Sequence, residues 1–181
     1  MLPQSVDLSA DKYFPEIGHQ QIGACISWAS TYYQFTYEAA KLNNWDAKND
    51  ASKRFSPKFT YNYINSVSDL GVDFEDTYKV LTNTGCVRYT EFPPTYIDGE
   101  YKDWFNNGEL IRKGMDTRVT ASFKHFVDQN DFAGTLADIK NTLNEKHPTT
   151  FASTIFDWRI GKLSNGQNVC IANYAKRLIM L

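Results

Sequence analysis

The longest uncharged stretch of the chain runs from Ile17 to Tyr37, and it limits what the rest can fold into. A bilayer span needs about 20 residues, so the stretch is long enough. It carries Gln20, Gln21, Ser27, Ser30, Thr31, Gln34 and Thr36, however, and that polarity argues against a membrane helix. From Ala24 to Leu42 the pattern reads as one helix, preceded by the breakers Pro15, Gly18 and Gly23. Cys25, Ile26, Trp28, Ala29, Tyr32, Tyr33, Phe35, Tyr37, Ala39 and Ala40 go most of the way round it. A helix apolar on most sides is buried, so other elements must cover this one from several directions.

Those elements follow in two blocks. Ser56-Pro57 starts a helix that runs to about Asn65, with the serine as cap and the proline in the first turn. A further helix spans Phe74 to Asn83 and is closed by Thr84-Gly85. Residues 95–114 read as a loop with a short helix. Thr117 to Phe126 alternates as a strand, Thr135 to Asn144 as a helix, Pro148 to Ile155 as a strand, and Val169 to Ala172 opens another. Helices thus dominate residues 1–115 and strands residues 116–181. That segregation predicts an α+β protein in two lobes.

With 181 residues, 42% hydrophobic and 15% aromatic, the chain can bury a core as one globular unit or two halves of one. A net charge of −2 without any basic run argues against a nucleic-acid binder that works by neutralising phosphates. Three cysteines exclude a disulfide scaffold and leave at least one free thiol. The start, Met1 to Asp7, lacks the basic and apolar regions of a signal peptide. The expectation is a cytoplasmic protein, or the mature part of something longer, with no membrane segment.

The chemistry concentrates in His19 to Ala29. A cysteine in the first turn of a buried helix, behind Gly23-Ala24, sits where backbone N–H groups are unpaired and the helix field is positive. Such a place favours thiolate over thiol. A glutamine just upstream, Gln20 or its close rival Gln21, could donate its amide to an oxyanion beside a backbone N–H. The bland alternative is a buried, inert cysteine.

Gly23-Ala24-Cys25-Ile26-Ser27-Trp28-Ala29 resembles the active-site segment of papain-like cysteine peptidases, in its looser bacterial form. Leu2-Pro3-Gln4-Ser5-Val6-Asp7 resembles the mature N-terminus of that family, and Phe55-Ser56-Pro57-Lys58-Phe59 its second helix. Leu70-Gly71-Val72-Asp73 is similar to its glycine-containing substrate strand. Gly85-Cys86-Val87 with Glu91-Phe92-Pro93, and then Ile139 to Ala152, continue the likeness in order along nearly the whole chain. The resemblance implies a papain-like two-lobe fold and hydrolysis of peptide bonds through a thioacyl enzyme at Cys25. It makes Gln20 the oxyanion donor, and Gly23, Ala24, Gly71 and Val72 the residues that line the substrate backbone. Ile22 stands where the family's partner cysteine for a common disulfide would be, which implies that this bridge is absent.

The family's chemistry also needs a histidine base at the start of a strand and an asparagine to orient it. Of the three histidines, His19 lies in the lead-in, His125 ends a predicted strand, and His147 precedes Pro148 in a helix-to-strand turn. None carries the expected flanking pattern, although His147 follows Cys25 by 122 residues. The strand that would hold the base should come after Asn168-Val169-Cys170-Ile171. The expectation is therefore a nearly complete helical lobe, an incomplete β lobe, and an isolated chain with weak or no peptidase activity. A truncated product, a shifted frame, an inactive pseudopeptidase and one chain of a two-chain enzyme stay open at this point.

The alternative function is a non-catalytic module that binds a peptide or protein. An open β lobe also exposes a strand edge, which predicts a complementary chain or self-association. No cofactor or metal is expected. Cys86 and Cys170 lack ligand spacing, and no phosphate-binding glycine loop occurs. Asp73, Glu75 and Asp76 read as charges favourable to a helix start, and Trp104 and Trp158 as packing residues.

Overall fold

The structure is a computed structural model that describes residues 2–20, 22–65, 70–95, 107–120, 130–152, 158–162, 164, 166 and 168–172. It forms two compact units, Met1–Thr150 and Phe151–Leu181.

The first unit is built round the helix foreseen from the uncharged stretch. It begins as α1 (Cys25–Ser27), widens to π winding over Trp28–Phe35, and continues as α2 (Thr36–Asn43). The sequence predicted regular winding throughout, and the π segment is a departure. The helix is covered on several sides: Ser27, Trp28, Ser30, Thr31, Tyr32, Phe35, Thr36, Tyr37 and Ala40 are all buried. Buried hydroxyls need partners, and two of these find them across the interface. Thr31 shares a 2.8 Å hydrogen bond with Thr60, and Thr36 Oγ1 accepts the Phe55 N–H at 2.9 Å. Asn44, in the left-handed conformation at φ 57°, ends the rod.

Two helices pack against it. In α3 (Pro57–Ile64), Ser56 caps as expected and accepts the Phe59 N–H at 3.2 Å. In α4 (Phe74–Asn83), the Asp73 carboxylate caps by accepting the Asp76 N–H at 2.8 Å. Phe35, Phe55, Phe59, Val80, Leu81, Cys86 and Val87 form one core cluster. Each large side chain buried this way stabilises by about 1.5–3 kcal/mol over an exposed one. A short bridge, Phe55 with Arg88, ties the lead-in of α3 to the chain after α4. Arg88 lies between the rings of Trp45 and Phe55, 4.4 and 4.2 Å from their centres. The helices α5 (Gly108–Met115) and α6 (Phe132–Asn144) complete the described α-helices, and a short 3-10 helix spans Ala51–Lys53.

The described residues of the predicted strand Pro148–Ile155, namely 148–152, are not in a strand. Distant side chains hold this segment instead: Gln34 Nε2 donates to the Pro148 carbonyl at 2.9 Å, and Tyr78 Oη shares a 2.9 Å hydrogen bond with the Thr150 hydroxyl. The described residues 117–120 of the predicted strand 117–126 are likewise not in a strand, and the rest of it, with His125, lies outside the described residues, as do Trp104 and Gln21.

In the second unit, β1 (Trp158–Lys162) pairs antiparallel with β2 (Asn168–Ala172), from Trp158 opposite Ala172 to Lys162 opposite Asn168. The second strand was foreseen at Val169–Ala172 and the first was not. Among the described residues the chain is mostly helical with little strand. No described helix is long and apolar enough to cross a membrane.

Candidate active site

Cys25 is the first residue of α1, and its side chain is exposed. The residue before it is not: Ala24 is buried with Trp28, Tyr32 and Tyr61, and Ile22 and Val72 pack on this cluster. An apolar anchor on each side of Cys25 holds the start of the helix down while the thiol stays at the surface. No side chain caps this end. The Ala24 N–H bonds the Ile22 carbonyl at 2.7 Å, and Trp28 N–H bonds the Ala24 carbonyl at 2.9 Å, which closes the first turn. The amides of a helix start point along the axis toward whatever lies in front of it.

Gly71 stands beside this turn. Its φ of +85° is a conformation that glycine adopts without strain, and a Cβ there would lie 3.6 Å from the Gly23 carbonyl oxygen. Val72, next along, enters the cluster under Cys25. Gly23, Ala24, Gly71 and Val72 are thus brought together around one cysteine, although Gly71 is far from it in sequence. Asp73, Glu75 and Asp76 belong to the start of α4, where Asp73 caps and both Glu75 and Asp76 pair with Lys79, at 3.0 and 3.2 Å.

Gln20 is exposed, and one of its amide hydrogens goes to the Ile22 carbonyl at 2.6 Å. This bond folds the Gln20 side chain back over the turn that leads to Cys25. The other amide hydrogen is available for a further acceptor.

His147 is placed elsewhere. Its Nδ1 lies 2.8 and 2.9 Å from the two carboxylate oxygens of Glu38, on α2. Glu38 follows Cys25 by thirteen residues along the same helical rod. At about 1.5 Å per residue, and less where the winding is wider, the separation is about 15–20 Å. An imidazole so held does not reach the thiol. His19 is exposed in the lead-in.

Cys86 is the opposite of Cys25. It is fully buried, and its Sγ donates to the Ser56 carbonyl at 3.3 Å. Burial pushes its thiol well above the ordinary range. A thiolate is strongly disfavoured there, so Cys86 has no nucleophilic use. Among the described residues no three His, Cys, Asp or Glu side chains cluster as a metal site would require.

The sequence did not reveal what holds the Gln20 segment. Trp28 and Tyr32 are buried as expected, and with Tyr33 they also meet the backbone of Glu16 and Gly18 through their rings and hydroxyls. Their places on the buried helix were legible, but their partners were not.

The crystal structure of xylellain, a cysteine protease from Xylella fastidiosa, resembles this chain with a TM-score of 0.51 and 19% sequence identity. The likeness covers 76% of this chain and 54% of the protease, so the chain spans about half the length of that protein. What it establishes is the fold, part of a papain-like protease fold. No protein-family model matches the sequence, and no curated protein does.

Proposed function

We propose that this chain carries the nucleophile side of a papain-like cysteine peptidase. The carrying observation is the meeting of Gly71 with Gly23, which sets the Gly71 backbone beside the turn that carries the exposed thiol of Cys25. In this reading Gly71 and Val72 pair with the backbone of a peptide, as an edge strand does. The Cys25 thiolate attacks the scissile carbonyl and forms a C–S bond, while the carbonyl oxygen takes the negative charge. Gln20 and the N–H at the start of α1 donate to that oxygen. Collapse breaks the C–N bond, the leaving amine takes the proton that the thiol gave up, and water then hydrolyses the thioester.

The proton has to be carried by a base, and His147 is held by Glu38 away from Cys25. We therefore assign the isolated chain weak turnover. A complementary chain, or a second copy, would be the partner that raises it. The engagement of His147 also favours a second reading, a module that holds a peptide in the same groove without cutting it.

Peptide turnover and peptide binding, measured side by side on the purified chain and on Cys25→Ala, test the proposal. Slow cleavage that disappears in Cys25→Ala supports the peptidase. Binding without cleavage, unchanged by the substitution, supports the module. Neither binding nor cleavage overturns both.

A further inference from the structure

The rod that carries Cys25 also grips the segment that carries Gln20. Tyr33 Oη accepts the Gly18 N–H at 3.0 Å, and Tyr32 Oη donates to the Glu16 carbonyl at 2.9 Å. Phe14 stacks on Tyr33 with ring centres 5.6 Å apart. The Trp28 ring occupies the space that any side chain on Gly18 would need. Behind them the Arg54 guanidinium is buried and lies 3.4 Å from both Tyr32 Oη and the Glu16 carboxylate. It is fixed in turn by the carbonyls of Ala47 and Lys48, at 2.8 and 2.7 Å. Residues 14, 16 and 18 are therefore each attached to the rod, and Gln20 comes two residues after the last attachment. Two residues of chain reach about 7 Å at most, so fixing Gly18 confines where the Gln20 amide can go.

We infer that Tyr33, acting through the Gly18 N–H, is a positioning residue that sets the Gln20 amide against the Cys25 thiol. The inference rests on the proposed role of Gln20 as donor to an oxyanion. Tyr33 touches no reacting atom itself. Its hydroxyl acts on one backbone amide, and the geometry of a donor aimed at a developing charge is sensitive to small displacements.

Two reagents separate positioning from mere folding. A peptide aldehyde adds to Cys25: a C–S bond forms, the carbonyl π bond opens onto oxygen, and the oxygen takes up the thiol proton in the final thiohemiacetal. Its oxygen sits where the substrate oxyanion would. Iodoacetamide alkylates the same sulfur by displacing iodide and develops no oxyanion. Aldehyde affinity and alkylation rate are measured on the full chain, on Gln20→Ala, on Tyr33→Phe and on the double variant.

The expected result for Gln20→Ala is aldehyde binding weakened about 100-fold, the scale of one lost oxyanion donor. For Tyr33→Phe it is about three- to tenfold, the span that one hydrogen bond is worth. Alkylation stays unchanged in both, and the double variant is no weaker than Gln20→Ala. Gly18→Ala, which displaces the same backbone from the Trp28 side, lowers aldehyde affinity further than Tyr33→Phe.

If Gln20→Ala weakens the aldehyde while Tyr33→Phe leaves it unchanged, lowers both reactions equally, or adds fully to Gln20→Ala, this inference is overturned and the role of Gln20 stands. If the unaltered chain forms no adduct, or Gln20→Ala binds as well as it does, the role assigned to Gln20 falls and takes the inference with it.

Discussion

Cys25 and Cys86 are the same side chain in two regions of one helical unit. At Cys25 the helix start projects the sulfur outward, over an apolar cluster made by Ala24, Trp28, Tyr32 and Tyr61. At Cys86 the sulfur is enclosed by the main core and donates to a backbone carbonyl. One thiol can meet a substrate, and the other behaves as a small apolar side chain with a satisfied hydrogen. Residue type alone carries no chemistry here, because what decides reactivity is the direction in which the local backbone aims the sulfur and whether water follows it.

The comparison is most open to breaking by labelling. In the native chain iodoacetamide should modify Cys25 and leave Cys86 untouched until the core opens. For a stable domain opening is rarer than about one molecule in 10³. Mass spectrometry of timed digests reads the two rates, and labelling of Cys86 at a pace near that of Cys25 would break the contrast.

A second test loosens the Cys86 region without touching that of Cys25. Gly85 has φ +76°, and a Cβ there would overlap the Gly114 carbonyl. Gly85→Ala should cost about 3 kcal/mol or more, since strained backbone and overlap with backbone add. A denaturant midpoint close to that of the unaltered chain would show that the two segments can part cheaply.

The third is a pH dependence with a defined sign. Burial holds the Cys86 thiol above its ordinary value of 9.0. The unfolded chain then releases this proton above about pH 9, whereas the folded chain keeps it, so the unfolded state binds fewer protons. Stability is full below about pH 9 and falls above it by about 1.4 kcal/mol per pH unit. Tyr32, pushed up to about 12 by burial, adds to the fall between its ordinary value of 10.0 and that point. Cys86→Ala should flatten the part of the slope that begins near 9. Equal slopes in the two chains would contradict the assigned burial effect.

The smallest effect is expected at the far end of the rod. Glu38→Gln removes the charge that His147 faces, and a half-exposed pair of this kind is worth about 0–1 kcal/mol. The rate and pH profile of Cys25 alkylation should be unchanged. A shifted profile would mean that His147 communicates with the thiol after all, and would undo the assignment of weak turnover.

Much of the fold was legible because it is local. The buried helix followed from apolar residues most of the way round 24–42, and the cap at Ser56 followed from a serine just ahead of Pro57. Asp73 was legible only as a charge favourable to a helix start, and the structure makes it the cap of α4. The short helix in 95–114 and the strand over 169–172 were legible for the same reason. The predicted strand over 148–155 failed at its described residues because Gln34 and Tyr78, from distant elements, hold that segment. Around the cysteine, Gly71 was singled out by resemblance, and its distance from Gly23 could be read only from the structure.

The sequence by itself determined the central rod, its two flanking helices and the cysteine at its start, since period, caps and breakers act within a few residues. The tertiary structure alone decided three other matters. It set Gly71 against Gly23, made Trp28 and Tyr33 the clamp on Gly18, and gave His147 to Glu38. Each joins residues far apart along the chain, and such meetings depend on how loops close and cores fill, which no local pattern encodes.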